Sequence, residues 1–316
     1  MIDAVVVSRN DEAQGICSFE LAAADGSQLP AFSAGAHIDV HLPNGLVRQY
    51  SLCNPPEERH RYLIGVLNDP ASRGGSRSLH ERVQAGARLR ISAPRNLFPL
   101  AEAARRSVLF AGGIGITPIL CMAEQLSHGG HDFELHYCAR SSERAAFVER
   151  MRSAPFADRL FVHFDEQPET ALDIAQVLGS PHGDVHLYVC GPAGFMQHVL
   201  GSAKELGWQE ANLHREYFAA APVDARNDGS FSVQVSSTGQ VFEVGADQTV
   251  VQVLEQNGIE IAMSCEQGIC GTCLTGVLQG TPDHRDLFLT EEEQALNDQF
   301  TPCCSRSKTP LLVLDI

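Results

Sequence analysis

Three cysteines crowd into nine residues at CEQGICGTC, Cys265 to Cys273, and a fourth comes after 29 intervening residues at Cys303, inside TPCCSRS. Neighbouring thiols are easily oxidised, so such a stretch needs a ligand or a redox partner. The spacing limits what can fold around it. Structural zinc sites favour two C-x2-C knuckles on separate loops. This chain has one such knuckle here, Cys270 and Cys273, with Cys265 upstream. A four-residue gap lets one loop wrap an inorganic cluster rather than pinch a single ion. Gly268 and Gly271 would let backbone N–H groups turn inward toward the sulfurs without a steric clash. The competing readings are zinc, or four unrelated buried thiols. Cys304 adjoins Cys303 and could replace it as a ligand.

The chain has 316 residues, which implies two or three domains, each with its own core. Hydrophobic residues make up 44%, the share of an ordinary globular protein. No apolar run reaches the span of a membrane. The start, MIDAVVVSRND, lacks the basic region and cleavage site of an export signal, so a cytoplasmic location is expected. A reducing compartment argues against a disulfide framework for the ten cysteines. The formal net charge of −16 disfavours nucleic acid, whose phosphates demand Lys and Arg. From Arg226 onward 13 acids face 4 bases, a net of −9. That excess reads as a solvated acidic surface, or as a docking face for a basic partner.

Three textures divide the chain. Residues 1–100 hold six short runs, IDAVVVS, ICSFELA, AHIDVHL, LVRQYSL, RYLIGVL and RLRISAP, with a hairpin turn at Pro43–Asn44–Gly45. Short strands without helical periodicity predict a small antiparallel barrel. Residues 101–225 alternate strand and helix, which predicts a doubly wound parallel sheet. Its strands are SVLFAGG, FELHYCAR, RLFVHFD and DVHLYVCGP; its helices are TPILCMAEQLSHGG, SSERAAFVERMRS opened by Ser caps, TALDIAQVLG and AGFMQHVLGSAKELG. Ala219 to Ser230 reads as a linker. Residues 226–316 form a third, α+β domain around the cysteine loop.

Two glycine-rich stretches belong to the middle domain. In SVLFAGGIGITP a strand runs into Gly112, Gly113 and Gly115, which permit close backbone approach to a phosphate. Thr117 could cap the following helix, and Pro118 suits its first turn. That helix start offers N–H donors and a positive dipole to an anion. A structural strand–turn–helix is the alternative. The CGP stretch, Cys190–Gly191–Pro192, ends a strand at the same carboxyl edge, where ligands bind in such sheets. Alone, Cys190 would read as a small buried hydrophobe, as would Cys17, Cys53, Cys121 and Cys138.

These motifs carry a resemblance along essentially the whole chain. The cysteine spacing is the plant-type [2Fe–2S] ligand set, and from about Gly229 the chain resembles a plant-type ferredoxin of β-grasp fold. The resemblance implies Cys265, Cys270, Cys273 and Cys303 as iron ligands, with Cys304 a bystander. GGIGITP followed by CGPAGFM resembles the nicotinamide domain of the ferredoxin-NADP⁺ reductase superfamily, which implies Thr117 and Cys190 near the nicotinamide. RQYSL resembles that superfamily's R-x-Y-S flavin signature. By that likeness Arg48 neutralises the flavin phosphate, Tyr50 packs on the isoalloxazine, Ser51 approaches flavin N5, and Leu52 completes the segment. In SRGGSRSLH, Gly74, Gly75 and Ser76 lead into a helix whose amides can hold a phosphate. In HREYF, Phe218 is the candidate aromatic for the other flavin face.

Flavin barrel, nicotinamide domain, then C-terminal ferredoxin is the order of the phthalate dioxygenase reductase family, which uses FMN. RQYSLCN, SRGGSRSLH and FTPCCSRS are similar to those of its members that serve the O-demethylation of vanillate. The resemblance implies a reductase that draws on NADH and feeds a Rieske-type oxygenase. It has a chemical logic: a nicotinamide gives two electrons as a hydride, a [2Fe–2S] cluster takes one, and a flavin mediates. A reductase of another Rieske system, such as a carnitine or chlorobenzoate oxygenase, is the alternative within the class. A redox-sensing electron store is the alternative outside it. The coenzyme is ambiguous locally. Arg140, Ser141 and Ser142 follow the second strand with no acid before Glu143, which suits a 2′-phosphate, whereas the family implies NADH.

Overall fold

The computed structural model describes residues 1–70, 72–218 and 228–316. The stretch read as a linker lies outside the described residues except for its last three. The chain divides into two compact units, Met1–Glu216 and Tyr217–Ile316.

The first unit opens with β1 (Ile2–Ala13), β2 (Ile16–Ala23), β3 (Ala36–His41), β4 (Val47–Ser51), β5 (Tyr62–Leu67), α1 (Gly75–Arg82), β6 (Arg88–Ile91) and β7 (Arg95–Asn96). The strands pair antiparallel in the order β4-β3-β6-β1-β2-β5, with β7 on β3. A bridge from Leu52 to Ile64 joins the end of β4 to β5 and closes the barrel. Its interior is apolar, with Phe19, Leu21, Ile38, Tyr62 and Ile64 fully buried. The β3–β4 hairpin turns at Asn44 and Gly45, where Gly45 adopts φ 83° and donates to the Leu42 carbonyl at 3.0 Å. β1 runs twelve residues, well past IDAVVVS, because two register shifts let it bend along β2.

The unit continues with β8 (Arg106–Gly112), α2 (Ile116–His128), β9 (Asp132–Ala139), α3 (Val148–Arg152), β10 (Leu160–Phe164), α4 (Ile174–Leu178), β11 (Val185–Cys190), α5 (Ala193–Glu205) and β12 (Leu213–Glu216). The five strands are parallel in the order β10-β9-β8-β11-β12. The winding reverses between β8 and β11, which opens a crevice at their carboxyl ends. Two helices are shorter than their sequence suggests. Of the run from Ser141 to Ser153, only Val148–Arg152 is α-helical, after a 3-10 turn at Ser142–Arg144, and no Ser side chain caps either piece. The chain breaks at Phe147, φ 62°, because Ala145, Ala146 and Phe147 turn into the core. From Thr170 to Gly179 the α-helix covers Ile174–Leu178 alone, capped by Asp173. Barrel and sheet share one core within the unit: Ile16, Cys53, Leu63 and Phe98 pack with Leu109, Ile119, Leu120 and Tyr188.

The second unit holds β13 (Phe231–Val235), β14 (Val241–Val244), α6 (Val250–Gln256), β15 (Thr275–Gln279), β16 (Pro282–Asp283), α7 (Glu291–Leu296), β17 (Gln299–Phe300), β18 (Arg306–Ser307) and β19 (Leu311–Leu314). Its main sheet has the order β14-β13-β19-β15-β17, with β13 and β19 parallel. α6 lays Val250, Val253 and Leu254 into the core beside Val233 and Leu312, a β-grasp arrangement. Thr249 and Gln252 form a reciprocal cap at its start. Arg285 holds Asp228 through both carboxylate oxygens, at 2.6 and 2.8 Å. Arg306 stacks over Phe231 at 5.1 Å and donates to the carbonyls of Gln248, Gly229 and Gly245. No helix of the described residues is long and apolar enough to cross a membrane.

Candidate functional site

The cysteine loop lies between α6 and β15, and Cys303 follows β17. Cys265, Cys270, Cys273 and Cys303 are all buried. Their sulfurs face one another: Cys265 lies within side-chain hydrogen-bonding reach of Cys270 and Cys303, and Cys273 within reach of Cys303. These contacts hold Cys265 well below the ordinary thiol range and push Cys303 above it. Backbone N–H groups reach the sulfurs too, Gln267 to Cys265 at 3.4 Å and Thr272 to Cys270 at 3.5 Å. Gly268 and Gly271 both have positive φ, 69° and 66°. A Cβ on Gly271 would overlap the Phe288 ring, and one on Gly268 would overlap the Cys304 sulfur. Cys304 lies beside Gly268, with its sulfur 3.3 Å from the Thr301 hydroxyl and within reach of the Cys303 sulfur. Four buried sulfurs with N–H donors turned to them suit an iron–sulfur cluster.

In the first unit, Arg48 and Tyr50 lie on β4 and Ser51 ends it. Arg48 packs on the start of α1, where a Cβ on Gly75 would come within 2.8 Å of its side chain. α1 is preceded by Gly74, φ 92°, with no side-chain cap and no acid in its first turn. Its leading amides, the Ser76 hydroxyl and a guanidinium therefore gather at one place, an arrangement that can hold a phosphate. Tyr50 packs against the barrel core, and burial pushes its phenol up. Leu52 is fully buried and closes the barrel instead of facing a ligand.

Gly112, Gly113 and Gly115 mark the carboxyl edge of β8, and their roles differ. A Cβ on Gly115 would overlap the Cys190 carbonyl, and one on Gly112 would press Pro192 and Phe195. A Cβ on Gly191 would meet Phe195 at 2.9 Å and the Gly112 backbone at 3.0 Å. Two of the three turn glycines therefore let the GGIG and CGP turns pack backbone to backbone. Gly113 alone is open, with φ 53° and nothing within 4 Å of a Cβ position. Thr117 does not cap α2. The helix starts one residue earlier, after a 3-10 turn, and the buried Thr117 hydroxyl donates back to the Ile114 carbonyl at 3.1 Å. Pro118 does lie in the first turn.

Cys190 pairs in register with Ala111 on one side and Glu216 on the other. Burial, with the Glu216 charge adding to it, raises the Cys190 thiol far above its ordinary range. Glu216 is the residue that reading by motif passes over. Its carboxylate accepts from the Ser51 hydroxyl at 3.1 Å, which links the barrel motif to the sheet edge. Burial pushes its carboxyl up to about 8. Phe218 comes two residues later and is 39% exposed, so it is not a core aromatic.

Comparison with known proteins agrees with this arrangement. Residues 233–308 match the 2Fe-2S iron-sulfur cluster binding domain family. Residues 90–213 match the N-terminal domain of dimethylamine monooxygenase subunit DmmA-like proteins. Phthalate dioxygenase reductase, a modular structure for electron transfer from pyridine nucleotides to [2Fe-2S], aligns with a TM-score of 0.78 and 38% identity over 99% of this chain and 97% of its own. An intact type IV self-sufficient cytochrome P450 monooxygenase aligns with a TM-score of 0.87 and 36% identity; this chain spans 41% of that longer one. Vanillate O-demethylase oxidoreductase of Pseudomonas putida is 84% identical over the full length of both chains. Fold and site thus define an iron–sulfur flavoprotein oxidoreductase, an electron-transfer component for an oxygenase. The chain belongs to the vanillate O-demethylase oxidoreductase family.

Proposed function

We propose that the protein takes hydride from NADH onto FMN and delivers electrons singly, through its [2Fe–2S] cluster, to a Rieske oxygenase that demethylates vanillate. When bound, the flavin converts a two-electron donor into one-electron transfers. The chain's own residues place and shield the reactants. Arg48, Gly74, Gly75 and Ser76 bind the flavin phosphate. Tyr50 orients the ring, and Phe218 covers its other face. The turns at Gly113 and at Gly191–Pro192 receive the dinucleotide, with Thr117 and Cys190 walling the nicotinamide end. Cys265, Cys270, Cys273 and Cys303 hold the iron.

The observation that carries this reading is the hydrogen bond from Ser51 to Glu216. It brings the flavin-signature hydroxyl to the sheet edge where Cys190 ends its strand. A carboxyl held near 8 keeps its proton at neutral pH, so Glu216 can share a proton with Ser51 beside the reacting atoms. FMN is favoured over FAD by the order of the domains. Nothing in the chain favours nucleic acid, given its charge of −16.

The test is reconstitution. The purified protein with the terminal oxygenase should convert vanillate, releasing formaldehyde, with NADH consumed in step. NADH-driven reduction of cytochrome c with no support of any Rieske oxygenase would point to an electron store instead.

A further inference from the structure

Beside the cysteine loop lies a buried polar cluster that the electron route leaves without a role. His284 follows β16, and its side chain is buried. Neither ring nitrogen has a hydrogen-bond partner among the described residues. Its Nδ1 lies 3.6 Å from a carboxylate oxygen of Asp286, whose side chain is fully buried. Asp286 receives only dipoles. The Leu289 N–H donates to one oxygen at 2.8 Å, and the Ser305 hydroxyl donates to the other at 3.4 Å. No Lys or Arg pairs with Asp286 among the described residues. The neighbouring charges are engaged elsewhere: Arg285 holds Asp228 and Asp283, and Arg306 lies 3.5 Å from Asp228. A buried carboxylate without a cation is costly. A proton on the adjacent imidazole is the compensation this site offers.

Asp286 also abuts both segments that carry the iron ligands. A Cβ on Gly268, inside the cysteine loop, would come within 2.9 Å of the Asp286 Cα. The Leu287 N–H donates to the Gly268 carbonyl at 2.9 Å. On the other side the Ser305 hydroxyl lies 3.0 Å from that of Thr301, which lies 3.3 Å from the sulfur of Cys304, the neighbour of Cys303. An electron added to the cluster puts a second negative charge near Asp286, in surroundings of low dielectric where repulsion is strong. A proton on His284 offsets it. Of the thirteen histidines, His284 is the only one in the second unit, and histidine is the side chain whose charge ordinarily changes between about pH 5 and about pH 8.

We propose that the His284–Asp286 pair sets the potential of the cluster, with His284 taking up a proton from solvent as the cluster takes an electron from the flavin. The imidazole becomes an imidazolium with N–H at both nitrogens. No bond to iron changes, and one electron and one proton enter together, so the net charge of the unit is unchanged. This rests on the cluster ligation proposed above, which the EPR signal of the reduced cluster checks by itself. The experiment is an EPR-monitored redox titration of the holoenzyme from about pH 8 to about pH 5. The midpoint potential should rise as pH falls, by up to about 59 mV for each tenfold rise in proton concentration, the limit of one proton per electron. His284→Asn should keep the EPR signal and flatten the profile. Asp286→Asn should raise the potential at the alkaline end by removing a negative charge. Cys304→Ser should keep the wild-type slope, which separates the imidazole from the neighbouring thiol. A flat wild-type profile with the signal intact overturns the proposal and leaves the ligation standing. A slope that survives His284→Asn, or one that vanishes in Cys304→Ser, overturns it too. Absence of the reduced-cluster signal in the wild type overturns the ligation as well. Should Asp286→Asn fail to fold, because Asp286 also anchors the Leu289 amide, the wild-type and His284→Asn profiles decide.

Discussion

Replacing Glu216 with Gln should change how stability depends on pH, and the structure sets the size of the effect. Burial raises the Glu216 carboxyl from 4.5 to about 8, while the Ser51 hydroxyl pulls the other way. Between those values the folded protein holds a proton that the unfolded chain has released. Stability therefore falls by about 1.4 kcal/mol per pH unit over that window. The contribution is fully present below 4.5, is lost as pH rises toward 8, and levels off above. From about pH 5.5 to about pH 8 the full swing is about 3 kcal/mol; water reaching the partly exposed carboxyl leaves about 1.5–3 kcal/mol. Glu216→Gln removes the titration and keeps a side-chain oxygen for Ser51. Histidines act in the opposite sense. Burial lowers His163, His186 and His214, the last to about 4, so their contributions are lost as pH falls. They are common to both proteins and cancel in the comparison. Urea unfolding, followed by the fluorescence of released flavin, measures the difference. The variant should gain about 1.5–3 kcal/mol on the wild type between the two pH values. Parallel curves would refute a Glu216 carboxyl that stays protonated in the folded protein.

Three further outcomes follow from the same geometry. Cys303→Ser should bleach the iron–sulfur absorbance while Cys304→Ser keeps it, since Cys304 packs against Gly268 and bonds the Thr301 hydroxyl; the visible spectrum and iron content distinguish them. Arg48→Ala should weaken flavin binding by about 1.5–3 kcal/mol, the value of a charge-assisted contact, in a titration with FMN. Gly115→Ala should destabilise the first unit by about 1–3 kcal/mol, because its methyl meets the Cys190 backbone and not a movable side chain; thermal unfolding read at the flavin checks it.

The gathering of the four cysteines was legible because its information is local: four thiols, two glycines and a fixed spacing. The placement of Arg48, Tyr50 and Ser51 on a barrel strand and of the two glycine turns at a sheet edge was legible for the same reason. What escaped depends on distance or on packing. Ser51 and Glu216 are 165 residues apart, and an acid at a strand end reads as solvated until its partner is known. Gly112 and Gly115 looked like phosphate glycines, yet tertiary contact between two turns gives them another reason to lack side chains. The run from Ser141 to Ser153 has good helix formers, but burial of Phe147 outweighs that preference and breaks the helix. Leu52 lies inside the flavin signature and faces the barrel core, a matter of strand alternation at the closure.

The route of the electrons is the central claim, and anaerobic titration with NADH, followed in the visible and by EPR, tests it most directly. The account predicts uptake of about three reducing equivalents per chain, two at the flavin and one at the cluster. The flavin band should bleach, and the reduced cluster's EPR signal should grow with it. In Cys273→Ser the flavin should still be reduced by NADH while transfer to the oxygenase stops. A cluster that stays oxidised while the flavin is fully reduced, or a Cys273→Ser protein that still drives the oxygenase, would contradict the account.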